Sequence, residues 1–228
     1  QAGLDDISII CHATQVEQLK NKGKYNLVIS SELDLVEVIG NTFKHHSGDI
    51  LYVYPWVVFQ GAFCNKLMSI KGSDLSLAVD MDWQKDSEER NYRFKVSTEK
   101  VSVVGENVVG AGRFLDRSDW HSSFSGVAYI KKKAADKIYE YIQSIKNHPS
   151  SFTFHDSLKL SEVKFTDLIQ ELIDDGFTIS SEVSHDEVLS LHNFKQLSTF
   201  LFGTKAQTLE RLSFVLDKSS IADFIIFT

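Results

Sequence analysis

The sequence predicts an α/β fold with a mostly parallel sheet and an antiparallel meander, on three observations. Short runs of β-branched and aromatic residues alternate with amphipathic stretches from residue 7 to about residue 80, the order that builds parallel sheets. Three short alternating runs at 93–96, 100–104 and 107–111 follow with only polar turns between them, as an antiparallel meander requires. Two amphipathic helical stretches, 134–146 and 165–175, then lead to a late strand at 177–183.

The elements read in order as follows. Ile7-Ser8-Ile9-Ile10-Cys11 is a first strand, entered through Gly3 and the acidic turn Asp5-Asp6. Residues 16–22 form a short amphipathic helix stopped by Gly23, and 25–29 a second strand. Residues 33–44 place Leu35, Val36, Val38, Ile39 and Phe43 at helical spacing. After the turn His45-His46-Ser47-Gly48-Asp49, residues 50–59 are the most strand-like run of the chain. Residues 62–70 suit a helix, and Leu75-Ser76-Leu77-Ala78-Val79 a buried strand. Residues 124–130 form a further strand. The helix at 134–146 gathers Ile138, Tyr141, Ile142 and Ile145 on one face. In the helix at 165–175, Thr166 is the expected N-cap and Gly176 the expected stop.

Composition narrows the function classes. Hydrophobic residues make up 43% and charged residues 24% of 228, an ordinary balance for a globular chain with a proper core. A net charge of -7 argues against nucleic acid as a partner, which needs a basic face. The cluster Lys131-Lys132-Lys133 is short and reads as a solvated helix start. Cys11 and Cys64 sit in apolar runs without metal or CxxC spacing, as buried free thiols of a cytoplasmic protein do. No apolar stretch approaches the roughly 18 residues of a membrane helix, so no membrane partner is expected. The start Gln1-Ala2-Gly3, without Met, reads as a fragment or processed product.

The chemistry-bearing residues stand at the end of the buried strand: Asp80-Met81-Asp82-Trp83. Two carboxylates two residues apart on extended chain point the same way, as metal ligands or a phosphate-organising pair must. In open α/β sheets the carboxyl edge of the strands is where ligands bind. The competing reading is a solvated strand end with one acid in a turn. The eight histidines form no HExxH and no two-His-plus-carboxylate spacing, so they read as scattered surface residues, His155 among them. GxSxG, GxxxxGK[ST] and GxGxxG are all absent.

From Gly3 to about Leu197 the chain resembles the sugar-phosphate nucleotidyltransferase family, and within it the cytidylyltransferase branch acting on phosphocholine and related phosphate esters. The stretches that carry the resemblance are Gly3-Leu4-Asp5-Asp6-Ile7, Asp49-Ile50-Leu51-Tyr52-Val53-Tyr54, Leu77-Ala78-Val79-Asp80-Met81-Asp82-Trp83 and the run 165–177. It implies a three-layer α/β fold with a sheet of nucleotide-diphospho-sugar transferase type. It also implies an Mg²⁺-assisted reaction, in which a substrate phosphate oxygen attacks the α-phosphorus of CTP and expels pyrophosphate. Asp80 and Asp82 would then be the catalytic, metal-holding pair. Trp83 would wall the substrate site, its face suited to a quaternary ammonium, and Asp167 would contact substrate. An acid in a helix's first turn also suits the helix dipole with no other role.

The departures from the family pattern bear on activity. The Gly-rich nucleotide loop and the Pro-Lys segment of the family have no counterpart here. The family's Tyr-Gly-Asp strand end, whose Asp holds the metal, is matched by Tyr54-Pro55-Trp56. The late acidic ligand is matched by Val188-Leu189-Ser190-Leu191-His192-Asn193, which lacks a carboxylate at that place. Cytidylyl transfer to a small phosphorylated metabolite is therefore expected to be weakened or lost. The tail Phe202-Gly203-Thr204-Lys205-Ala206-Gln207-Thr208-Leu209-Glu210-Arg211-Leu212, with Phe224-Ile225-Ile226-Phe227, resembles the opening of the ATP-binding domain of phosphoenolpyruvate-synthase-type phosphotransferases. That divides the chain into a domain at 1–199 and a second beginning at 200–228, and implies fusion to a phosphotransferase. Two rival readings stand beside the nucleotidyltransferase. One is a non-catalytic specificity or docking module of that fusion. The other is a glycosyltransferase using Asp80-Met81-Asp82 as its Asp-x-Asp.

Overall fold

The computed structural model describes residues 7–20, 25–30, 35–44, 46–83, 98–115, 122–147, 154–155, 157 and 159–190. The strand expected at 93–96, His192 and the tail at 200–228 lie outside the described residues.

The first half contains β1 (Ser8–His12), α1 (Val16–Leu19), β2 (Asn26–Ser30), α2 (Leu35–Phe43), β3 (Ile50–Val53), β4 (Val57–Phe59), α3 (Gly61–Ser69) and β5 (Leu75–Asp80). The second half contains β6 (Lys100–Val104), β7 (Asn107–Gly112), β8 (Ser122–Ile130), α4 (Lys132–Lys146), α5 (Phe165–Asp174), β9 (Ile179–Val183) and β10 (Val188–Ser190). Six strands make a mixed central sheet in the order β3-β8-β5-β9-β7-β6. β5 and β9 pair in parallel, and β3, β5, β6 and β9 all run one way, with β7 and β8 against them. β6 and β7 are the expected meander hairpin, and β6 returns to pair with the start of β8. β1 and β2 form a separate parallel pair, and β4 with β10 an antiparallel one.

Period-two alternation divides the side chains between two cores and makes the fold three-layered. Leu75, Leu77 and Val79 of β5, with Ala128 and Ile130 of β8, face a core shared with α2, α4 and α5. Ala78 of β5 and Val127 of β8 face the opposite core, closed by Phe63 and Leu67 of α3 and Val188 of β10. β5 is buried on both faces along most of its length, so its sequence is apolar but for the small buried Ser76, and its carboxylate appears only at the end. In α5, Phe165, Leu168, Ile169 and Leu172 are fully buried. Each contributes roughly 1.5–3 kcal/mol of apolar burial.

Two expectations need correction. The run at 50–59 is two strands, because Pro55 brings no N–H to a ladder and Val57 N–H bonds back to Tyr54 O at 3.1 Å to close a turn. Beyond that turn β4 leaves the central sheet for β10. Thr166 lies inside α5, whose N-cap is Lys164. Asp167 reaches back with Oδ2 to accept the Lys164 N–H at 2.9 Å, as an acid at the third helical position does in a capping box. The stop at Gly176 stands as expected. Its φ of +78 lets Phe177 N–H reach Leu172 O and Gly176 N–H reach Ile173 O, both at 2.9 Å, the paired bonds of a Schellman cap. The lysine cluster is the start of α4, where Asp49 accepts the Lys132 N–H at 2.8 Å and Lys132 meets Asp136 at 3.0 Å. No helix among the described residues is long and apolar enough to cross a membrane.

Gly126 of β8 is where the central sheet tolerates no side chain. It has φ +85, and a Cβ there would stand 2.9 Å from Tyr54 Cδ2 and from Val57 Cγ2. Gly126→Ala should lose about 2–4 kcal/mol, summing a left-handed residue and an overpacked contact. Urea unfolding checks it, and a loss under about 0.5 kcal/mol, the ordinary surface-substitution range, would show that the turn at 54–57 yields freely.

Candidate functional site at the carboxyl edge of the sheet

Strand direction brings the ends of β3, β5 and β9 to one edge of the sheet, with the first half of β8 running between β3 and β5. Asp80 pairs with Ser123 of β8, and Tyr54 N–H bonds Gly126 O at 2.8 Å. From the far side, Ser184 after β9 donates to Val79 O through its N–H at 2.9 Å and its Oγ at 3.0 Å. Ser184 Oγ also lies 3.0 Å from Ser125 Oγ. The edge therefore collects the turn 54–57, the segment 80–83, Ser123 to Gly126 and Ser184.

Asp80 and Asp82 are brought together in a specific way. The Asp82 backbone N–H donates to Asp80 Oδ1 at 2.8 Å, an Asx turn that folds the first carboxylate over its own chain. Asp82 is exposed, and Met81 between them is 44% exposed. Trp83 is only 6% exposed and offers a ligand little of its ring, whereas Trp56 is 37% exposed. The indole open at this edge is thus Trp56, whose ring lies 4.7 Å from that of Tyr54.

A third acid, missed from the sequence, lies beneath the same edge. Glu99 directly precedes β6, and its carbonyl accepts the Phe124 N–H of β8 at 2.8 Å. Its carboxylate takes the Tyr54 hydroxyl at 2.6 Å and the Thr166 N–H of α5 at 3.3 Å. Glu99 keeps some exposed surface but is densely surrounded, and that desolvation pushes its carboxyl above the usual range, with Asp167 adding repulsion. Burial likewise drives the Tyr54 hydroxyl well up, Glu99 contributing next. Phe165 stacks on Tyr52 at 4.5 Å and lies 5.5 Å from Phe124, so an aromatic cluster joins the edge to α5. No motif marks Glu99, which is one acid before a strand. Only the pairing of that strand with β8 brings it to Tyr54.

Asp167 is placed apart from solvent. It is fully buried, and Oδ2 accepts the Ser157 hydroxyl at 2.7 Å besides the Lys164 N–H. Arg113 Nη2 donates to the same Ser157 Oγ at 2.9 Å. Its position fits the dipole-matching role of an acid in a first turn.

A magnesium ion in such an edge takes one or two carboxylates plus substrate phosphate oxygens in near-octahedral order. Among the described residues at this edge Asp80 and Asp82 are the carboxylates that would hold it, both from the end of β5. Asp80 Oδ1 accepts Asp82's own N–H, and the turn after β3, across β8 from β5, brings Trp56, an indole with no oxygen to give.

No protein-family model matches the sequence, and no curated protein matches it. Solved structures do. The chain is similar to CTP:phosphocholine cytidylyltransferase from Streptococcus pneumoniae, at TM-score 0.58 and 16% identity over 88% of this chain and 80% of that one. It is similar to the inositol-1-phosphate CTP transferase from T. maritima, at TM-score 0.55 and 15% identity over 79% and 67% of the two chains. A putative glucose-1-phosphate thymidylyltransferase from Bacillus anthracis matches at TM-score 0.55 and 10% identity over 96% and 78%. At these identities the shared property is the fold, which is that of nucleotidyltransferases.

The raised carboxyl of Glu99 gives a pH test. A folded-state pKa above the ordinary 4.5 contributes stability that is complete below that value and lost as pH climbs through the folded pKa. Glu99→Gln keeps an acceptor for Tyr54 but cannot ionise. The variant should therefore gain on the parent as pH rises from 4.5 toward neutrality. Urea midpoints measured across that range check this, and a constant gap between the two proteins would contradict it.

Proposed function

We propose that this chain is a nucleotidyltransferase-type domain that takes up CTP and a small phosphorylated metabolite along the carboxyl edge of its sheet, with cytidylyl transfer weakened or lost. One observation carries the reading. Trp56, in the turn after β3, stands where the resemblance places a metal-holding carboxylate, while the Asp80-Asp82 end of β5 shares the same edge. The fold likeness to CTP-using transferases supports the nucleotide class.

Charge decides the consequence. Transfer requires the developing charge on the triphosphate to be matched by a cation or by fixed donors. Asp80, Asp82 and Glu99 instead surround the edge with acid. A carboxylate and a phosphate oxygen 4 Å apart repel by about 1 kcal/mol in water and about 4 kcal/mol at an effective dielectric of 20. A metal held by carboxylates from the ends of both β3 and β5 would reverse that sign, and the indole removes one of them. The exposed Trp56 face beside Tyr54 suits the cationic head of an acceptor such as a quaternary ammonium. A domain of this kind serves as a specificity or docking module, the second reading, which the same Trp56 favours.

Calorimetry with CTP, with and without Mg²⁺, tests the proposal. The parent protein should bind CTP weakly, with little help from the metal. Trp56→Asp should strengthen binding at least tenfold, only with Mg²⁺, and adding Asp80→Ala should remove the gain. Parent turnover in the usual enzymatic range of about 1–10³ s⁻¹ would overturn the loss of transfer. An unchanged Trp56→Asp would overturn the site.

A further inference from the structure

We propose that His155, Glu171 and Asp174 form a binding site for one divalent first-row transition-metal ion, with Zn²⁺ the best chemical match. Glu171 and Asp174 sit three residues apart on α5, so they share a face. One ligand atom from each of these two acids and from His155 lies within 4.8 Å of the others. His155 Nε2 is already 2.5 Å from Glu171 Oε2. Tetrahedral Zn²⁺, with bonds near 2.0–2.2 Å, needs its ligand atoms roughly 3.4 Å apart. His155 and Asp174 are exposed and Glu171 partly so, which leaves the ångström or so of adjustment to side-chain torsions.

The scaffold fixes the two halves of the site to each other. Phe154 and Ser157 exchange backbone hydrogen bonds of 3.0 and 2.9 Å, closing the turn that carries His155. Both are buried. Ser157 is in turn bonded to Asp167 at 2.7 Å, one turn of α5 before Glu171. The imidazole is thus tied to the helix that supplies both carboxylates.

Charge adds an independent argument. Acids in the last turns of a helix oppose its dipole, and α5 has Glu171, Asp174 and Asp175 there with no basic residue in its last turn. Asp175 is matched by Lys137 at 3.2 Å and by the Tyr141 hydroxyl at 2.7 Å. Among the described residues no lysine or arginine pairs with Glu171 or Asp174, and Asp174 takes only the Gln170 amide, at 2.8 Å. With a neutral imidazole the cluster carries two negative charges, which a divalent ion neutralises. The imidazole selects zinc, cobalt or nickel over magnesium and calcium. Three protein ligands leave a position for water, and the ion would clamp the 154–157 turn to α5.

Untagged, EDTA-treated protein titrated with Zn²⁺ by calorimetry and with Co²⁺ by visible absorption tests the site. One ion per chain is expected. His155→Ala and Glu171→Gln should each weaken binding at least tenfold, and the double variant should lose the Co²⁺ band. Without metal, circular dichroism and thermal midpoints should match the parent, since these side chains lie outside the core. Zn²⁺ should also raise the parent's midpoint but not the double variant's. Absence of stoichiometric binding, equal binding in both variants, or Ca²⁺ binding as tightly as Zn²⁺ would each overturn the proposal.

Discussion

Helix α5 begins inside the protein, where its first N–H groups have little water to turn to. Four N–H groups at a helix start lack intrahelical partners, and here one side chain from another segment and one from the helix itself supply two of them. Glu99 takes the Thr166 N–H, and Asp167 covers the Lys164 N–H. Each partner is anchored elsewhere: Glu99 to Phe124 and, through the Tyr54 hydroxyl, to the end of β3, and Asp167 to Ser157. The start of α5, the end of β3, the start of β6 and the 154–157 turn therefore hold one another in place. Removing any one leaves a buried donor or acid unmatched, a penalty of about 1–3 kcal/mol and more for a charge.

That knot of contacts explains the character of the sheet edge. Tyr54 is tied down by Glu99 and packed by Phe124, so the chain can turn sharply at Pro55 and present Trp56. On β5, across β8 from β3, double-faced burial keeps the strand apolar but for Ser76 until Asp80, and the carboxylates arrive at the same edge. The fold thus brings a carboxylate pair and an indole to the same edge of the sheet.

Much of the fold is legible in the sequence because hydrophobic period reports burial. The continuous Leu75–Val79 run announces a strand covered on both faces, and Ile138, Tyr141, Ile142 and Ile145 announce the buried stripe of α4. Period alone cannot see where Ile50–Phe59 breaks, since both halves are equally apolar and only Pro55 and the pairing of β4 with β10 separate them. Thr166 is a good capping residue by type, so the sequence points to it as the N-cap of α5, yet Asp167 reaches back to Lys164 instead. Of the site, Asp80 and Asp82 are visible as a strand-end pair. Glu99 and the His155-Glu171-Asp174 cluster are not, because their partners are 45 and 16 residues away and no local spacing records a contact made by tertiary packing. Trp83 shows the converse: adjacency to Asp82 in sequence does not keep a side chain exposed.

Amide chemical shifts recorded while CTP is titrated test the central claim most directly, that the carboxyl edge of the sheet is the ligand-binding edge. The account predicts that shifts concentrate at 54–57, 80–83, 123–126 and Ser184. Shifts confined to the outer faces of α2 and α4, or none at saturating CTP and choline phosphate, would contradict it.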